Sequence, residues 1–331
     1  MGFERAPVVL LGLCLCGASL ALAADDKHPQ AYTDPADAGP DFKFQGEYTG
    51  QVEVGAGQFA VGAQLVARGG GKFYSQIYLG GLPGAGWDRQ TKYDGTGQVE
   101  DGAVVFKHLL GGGRLADGVL TLLDPDGQQV GTLKRSERVS PTLGKRPPAG
   151  AIVLFDGKSA NAFKGGRMTD DGLLMPGATS KQAFGDCTLH LEFRTPFMPT
   201  ALGQARGNSG CYLQGRYEVQ ILDSFGLDPK DNDCGAIYTV KAPDPNMCYP
   251  PLSWQTYDID YTAARYDSAG KKTQDAVITV RQNGEVVQSK TKIPQATRAA
   301  PMKEGPEPGP LYLQDHGNPV RFQNIWIVEK K

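Results

Sequence analysis

The chain has 331 residues, 40% of them hydrophobic and 21% charged, which suits packed cores and about two domains. A formal net charge of -2, with only scattered basic residues, excludes the basic stripe that nucleic-acid binding needs. With 44 glycines and 23 prolines, the composition favours short strands and tight turns over helices.

In chain order, Arg5 precedes an almost wholly apolar stretch, residues 6–22, and Ala21-Leu22-Ala23 fits a small-residue cleavage site. Residues 1–23 therefore read as a signal peptide. Export to a periplasmic or extracellular location follows, with no membrane span once the signal is removed. A retained anchor is the alternative, but the run is short against the ~20 residues of a spanning helix. A lipoprotein signal is weaker still, because Cys14 and Cys16 lie inside the apolar run.

Residues 24–41 are polar and Pro-rich and read as a flexible linker. From residue 42 to 135, FKFQGEYTGQVEV, FAVGAQLVAR, KFYSQIYLGGL, AVVFKHLL and VLTLLD are short β-prone runs separated by glycine clusters, which predicts a small antiparallel sandwich or barrel. Those clusters lack the Lys-Ser/Thr and the helix of a phosphate loop. This domain offers no evident chemistry and reads as an accessory packing or binding module. Residues 136–150, SERVSPTLGKRPPAG, form a Pro-rich connector, and a second domain occupies residues 151–331.

In that second domain, Cys187, Leu189, Leu191 and Phe193 alternate with Thr188, His190, Glu192 and Arg194. Farther on, Cys211 and Leu213 oppose Tyr212 and Gln214, and Tyr217, Val219 and Ile221 oppose Glu218 and Gln220. AVITVRQNGEVVQ is a hairpin turning at Asn283-Gly284. Without a long 3.6-residue apolar stripe, a two-sheet β-sandwich is the economical fold.

Four cysteines follow the signal. No Cys/His zinc spacing exists, so an exported chain predicts disulfides. Of the three possible pairings, Cys187–Cys211 is favoured because both fall on the apolar side of nearby strands. Cys234–Cys248 would then staple the intervening loop.

IVLFDGKSANAF, LHLEFRTPFMPT, RGNSGCYLQGRYEVQILDSFG, CGAIY, PPLSWQTYDIDY and GPLYLQDHGNPVRFQNIWI occur in order across about residues 151–329. Together these blocks resemble the 3-keto-disaccharide hydrolase family. The resemblance implies a concanavalin-like jelly roll, all-β with the small antiparallel β domain in front. It also implies action on glycosides oxidised to a ketone at C3. The ketone acidifies the C2 proton; a base removes it, the C1 substituent leaves by β-elimination, and water adds. Such a reaction needs a base, an acid and a stabiliser for the enolate oxygen.

Within those blocks, Glu218 and His316 are the candidate base and acid. Glu192, Arg194, Gln214 and Gln220 are expected on the same polar face as Glu218, joined by Gln314 and Asp315 from the last loop. Asn208 and Arg321 are candidates for sugar hydroxyls, and Tyr212, Tyr217 and Trp254 for ring stacking. No cofactor is certain; a divalent metal held by Asp315 and His316 is the option considered. Each residue also has a plain reading: a solvated sheet face for Glu218 and Gln220, a turn cap for His316, core packing for Trp254 and Trp326. His28 and His108 lie outside the family blocks. A carbohydrate substrate is the expected partner. The competing functions are a non-catalytic carbohydrate-binding module, since fold alone does not decide, and a cell-envelope structural protein.

Overall fold

The computed structural model describes residues 29–108 and 111–330. The expected signal peptide lies outside the described residues. The chain is all-β.

Eight strands close an antiparallel barrel, each paired with its neighbour in sequence: β1 (Gly46–Val54), β2 (Gly57–Ala67), β3 (Lys72–Leu79), β4 (Lys92–Glu100), β5 (Ala103–His108), β6 (Gly111–Ala116), β7 (Val119–Leu123) and β8 (Gln129–Ser136), with β8 returning to β1. Closure removes both sheet edges. Tyr48, Leu65, Phe73, Phe106 and Leu115 pack one end of the lumen.

The remaining strands are β9 (Ile152–Phe155), β10 (Phe163–Lys164), β11 (Ala178–Phe184), β12 (Cys187–Arg194), β13 (Ser209–Leu213), β14 (Tyr217–Ile221), β15 (Gln255–Thr262), β16 (Arg265–Tyr266), β17 (Lys272–Gln274), β18 (Ala276–Gln282), β19 (Glu285–Ile293), β20 (Gly309–Leu313) and β21 (Arg321–Glu329). They form a jelly-roll sandwich. One sheet runs β10-β11-β20-β13-β14, the other runs β19-β18-β15-β12-β21-β9, and β16 and β17 pair as a separate two-stranded ribbon. Between them lies a continuous core that includes Leu189, Leu191, Phe193, Val219, Ile221, Ile259, Leu313 and Ile327. The alternation in each strand sends these side chains inward and the polar ones outward.

Barrel and sandwich are locked together. Val66 of β2 is part of the sandwich core. The buried Arg206 donates from Nε to Asp223 at 2.6 Å and from a terminal nitrogen to the Ala67 carbonyl of the barrel at 3.1 Å. Residues 32–41 do not form a free linker. Tyr32 exchanges two backbone hydrogen bonds of 2.9 Å with Phe197, and Ala38 is buried. Aromatic burial at Tyr32 and Phe42 against Phe197 outweighs the polar composition of the segment.

Cys187, Cys211, Cys234 and Cys248 are buried free thiols, so the expected disulfides are not formed, although Cys234 and Cys248 touch side chain to side chain. Cys187 and Cys211 sit on different sheets and face the same core, so the adjacency read from alternation is that of opposing layers. Cys234 is engaged by Tyr257 at 3.2 Å, and Cys248 donates to the Leu222 carbonyl at 3.4 Å.

Candidate functional site

Three neighbouring strands build a polar patch on the outer face of the five-stranded sheet. In the ladder, Tyr212 of β13 stands between Glu218 of β14 and Tyr312 of β20. Gly210 stands opposite Gln220, and Gln314 just past β20 donates its backbone N–H to the Gly210 carbonyl at 2.9 Å. Directly paired residues share a face, so Glu218, Gln220, Tyr212, Tyr312 and Gln314 point the same way, and Cys211, Val219 and Leu313 point into the core.

Glu218 is the centre of this patch. It is 2% exposed. Its Oε2 accepts a hydrogen bond from the Tyr212 hydroxyl at 2.7 Å, and the Gln314 amide donates to that hydroxyl at 3.3 Å. Burial pushes the Glu218 carboxyl up to about 8, against the lowering effect of Tyr212. Its Oε1 has no protein partner among the described residues. A side chain at position 210 would block that oxygen, because a Cβ there would lie 2.1 Å from it. Burial and the neighbouring Glu218 charge raise the Tyr212 phenol, keeping it a proton donor.

Walls rise on two sides. Thr297 accepts from the Glu218 backbone N–H at 3.0 Å, and the Arg298 carbonyl lies 3.3 Å from the Tyr212 hydroxyl. Opposite, Gln220 donates to the Gln204 side chain at 2.9 Å, and Asn208 donates to the Gln204 carbonyl at 2.7 Å. Gln204 also borders a cleft of about 770 Å³ shared with Arg68 and Tyr74 of the barrel. Tyr312, Gln204 and the 297–298 segment were not singled out from sequence. Alternation in PLYLQ marks Tyr312, since it falls two residues before Gln314; nothing local marks Gln204.

Several expected site residues lie elsewhere. Glu192 belongs to β12 in the six-stranded sheet and faces away from the sandwich on that side, so it does not share a face with Glu218. Its carboxylate accepts from the Gly144 N–H at 2.6 Å, from Gln323 and Asn324 at 2.7 Å each, and lies 3.2 Å from His190. The Gly144 bond straps the 136–150 connector to the sheet. Burial opposes ionisation of Glu192, but its hydrogen bonds, His190 first, hold its pKa low.

Arg194 and Arg321 are paired across β12 and β21 in the same sheet as Glu192. Arg194 lies 5.1 Å from the Trp254 ring centre, so Trp254 packs under a guanidinium. Gln214 is buried at a turn with φ 55°; it donates to the Phe184 carbonyl and accepts from Arg216 and Tyr261, a structural role. Tyr217 points into the core and donates to Glu304 at 2.5 Å.

The last loop is nearer the patch. The Asn318 side chain accepts from the Asn208 N–H at 2.7 Å. Asp315 accepts from the Gly317 N–H at 2.9 Å and pairs with Arg167 at 3.4 Å. His316 is exposed and makes no hydrogen bond with Glu218. Among the described residues, no group of three or more His, Cys, Asp or Glu side chains converges as a metal cage.

This polar patch falls inside a region with known relatives. A family model, the 3-keto-alpha-glucoside-1,2-lyase-like domain, matches residues 150–328. The chain belongs to this family. Among solved structures, a "putative glycosyl hydrolase" from Parabacteroides distasonis is 36% identical, with a TM-score of 0.51, covering 55% of this chain and 85% of that one. A second of the same description and organism is 20% identical, with a TM-score of 0.40, covering 55% of this chain and 94% of its own. Comparison with curated proteins gave no match. The 3-keto-alpha-glucoside-1,2-lyase-like domain and its 36%-identical neighbour support a carbohydrate-active function. All the residues of the Glu218 patch lie within it.

Proposed function

We propose that this chain cleaves 3-keto-glycosides by elimination and hydration, with Glu218 as the base at C2. The observation that carries the reading is the Glu218 carboxyl: buried, held by Tyr212 at 2.7 Å, raised to about 8, with one oxygen free over a glycine. A carboxylate of raised pKa is a stronger base, matched to a carbon acid near neutral pH.

In the proposed sequence, Glu218 takes the proton from C2 of a pyranose bearing a ketone at C3. The C–H electron pair forms the enolate, and it then makes the C1–C2 double bond as the C1–O bond breaks. The departing oxygen leaves as an alcohol with a proton from an acid. Water adds its oxygen to C1, and C2 regains a proton, so the balance is hydrolysis. Tyr212 orients the carboxyl, and the amide of Gln314 is the donor on the same face for sugar and enolate oxygens, while Gln220 holds Gln204 and Asn208 at the wall. His316 is the proposed acid, reached from the exposed loop once a substrate bridges the gap.

The test is turnover of a 3-keto-disaccharide by purified Glu218→Gln protein. The proposal expects a loss of about 10²-fold or more, the usual scale for removing a general base. Wild-type rates in that variant would remove Glu218 from the chemistry.

A further inference from the structure

The barrel is packed at one end only. An eight-stranded barrel encloses either its own side chains or one small ligand, and here each half follows a different course. Beyond the Phe73 and Phe106 layer, the lumen widens into an open cavity of about 310 Å³. Val61, Ile77 and Leu122 line it, and no charged side chain is among the described residues that line it. At its mouth, Val54, Phe59 and Tyr93 are 60%, 44% and 37% exposed, a cluster of apolar groups that water solvates poorly.

Among the described residues, the polar side chains lining this hollow are His108 and, at the mouth, Tyr93. His108, at the end of β5, turns its buried Nδ1 to the β4 wall beside Asp94, which leaves Nε2 as the ring nitrogen open to a ligand. Its partner across the ladder is Gly95 of β4, and a Cβ there would lie 2.4 Å from Nδ1, so the imidazole occupies space that only glycine leaves. Burial lowers the His108 pKa, with Asp94 opposing, which keeps the ring neutral at neutral pH. A largely apolar hollow of this size with a polar ring in its wall is the usual make-up of a small-molecule site.

We propose that the open end of the barrel binds a small neutral apolar molecule carrying one hydroxyl, which hydrogen-bonds to His108. A cavity of about 150 Å³ holds benzene, so 310 Å³ accommodates a two-ring compound. The absence of Lys or Arg among the described lining residues argues against a carboxylate.

The experiment is fluorescence titration of the full chain with 2-naphthol and with naphthalene, which lacks the hydroxyl. Saturable one-to-one binding is expected, with 2-naphthol at least about fivefold tighter, the scale of one net hydrogen bond. Val61→Trp, or the smaller fill Leu122→Phe, should weaken both probes about tenfold or more. His108→Phe should erase the preference for 2-naphthol and keep naphthalene binding. Thermal unfolding confirms that each variant is folded. Lack of saturable binding, or affinity unchanged in a folded, filled variant, overturns the proposal. So does self-association lost on Phe59→Glu without any probe binding, which would assign the mouth to a second copy of the chain.

Discussion

At neutral pH the Glu218 carboxyl, with its pKa near 8, is mostly protonated in the folded chain and ionised in the unfolded one. Folding therefore takes up a proton, and stability falls as pH rises from the ordinary carboxyl value to about 8, levelling off above it. Glu218→Gln is neutral at every pH and removes this penalty. Its melting temperature should exceed that of the wild type by a margin that grows from pH 5 to pH 8; a constant or negative margin in calorimetry would show that burial does not strain this group. Gly210→Ala attacks the same point by crowding, since its Cβ would stand 2.1 Å from Oε1. Turnover should fall by about 10²-fold, the cost of misplacing a reacting group by ~1 Å, with little change in melting temperature. The Glu218 position was legible because alternation with Tyr217 and Val219 placed it on a polar face. Its burial was not, because the cover comes from Thr297 and Arg298, about eighty residues away in sequence.

The strand β12 shows where alternation stops being informative. Its pattern correctly divides Leu191 from Glu192, yet a sandwich has two outer faces, and which one a strand displays depends on its partners. Pairing of β12 with β15 and β21 sends Glu192 and Arg194 to the far side from Glu218. The same limit explains Cys187 and Cys211, which face one core from opposite layers. Glu192 is buried and accepts from three donors besides contacting His190, so Glu192→Ala leaves several groups unpaired. Denaturant unfolding should register a loss of about 3 kcal/mol, with the KM for the keto sugar unchanged. A large KM effect would return Glu192 to the substrate site.

Over the whole molecule, strand spacing and glycine-rich turns announced an all-β chain, and the ordered family blocks announced the jelly roll. The choice of barrel over sandwich for the first domain was not legible, because closure rests on β8 meeting β1 across some eighty residues. Nor was the locking of the two units through Val66 and Arg206, whose partners lie in the other unit. The assembled molecule joins a sandwich carrying the raised Glu218 carboxyl to a barrel with its own hollow, and the first of these carries the central claim. That claim is proton removal at C2 by Glu218, and hydrogen exchange reads it without requiring bond cleavage. Purified protein with 3-keto-glucose in D₂O, followed by proton NMR, should lose the C2 signal far faster than the buffer control, and Glu218→Gln should slow this loss about 10²-fold or more. Exchange at the wild-type rate in a folded Glu218→Gln protein would contradict the account.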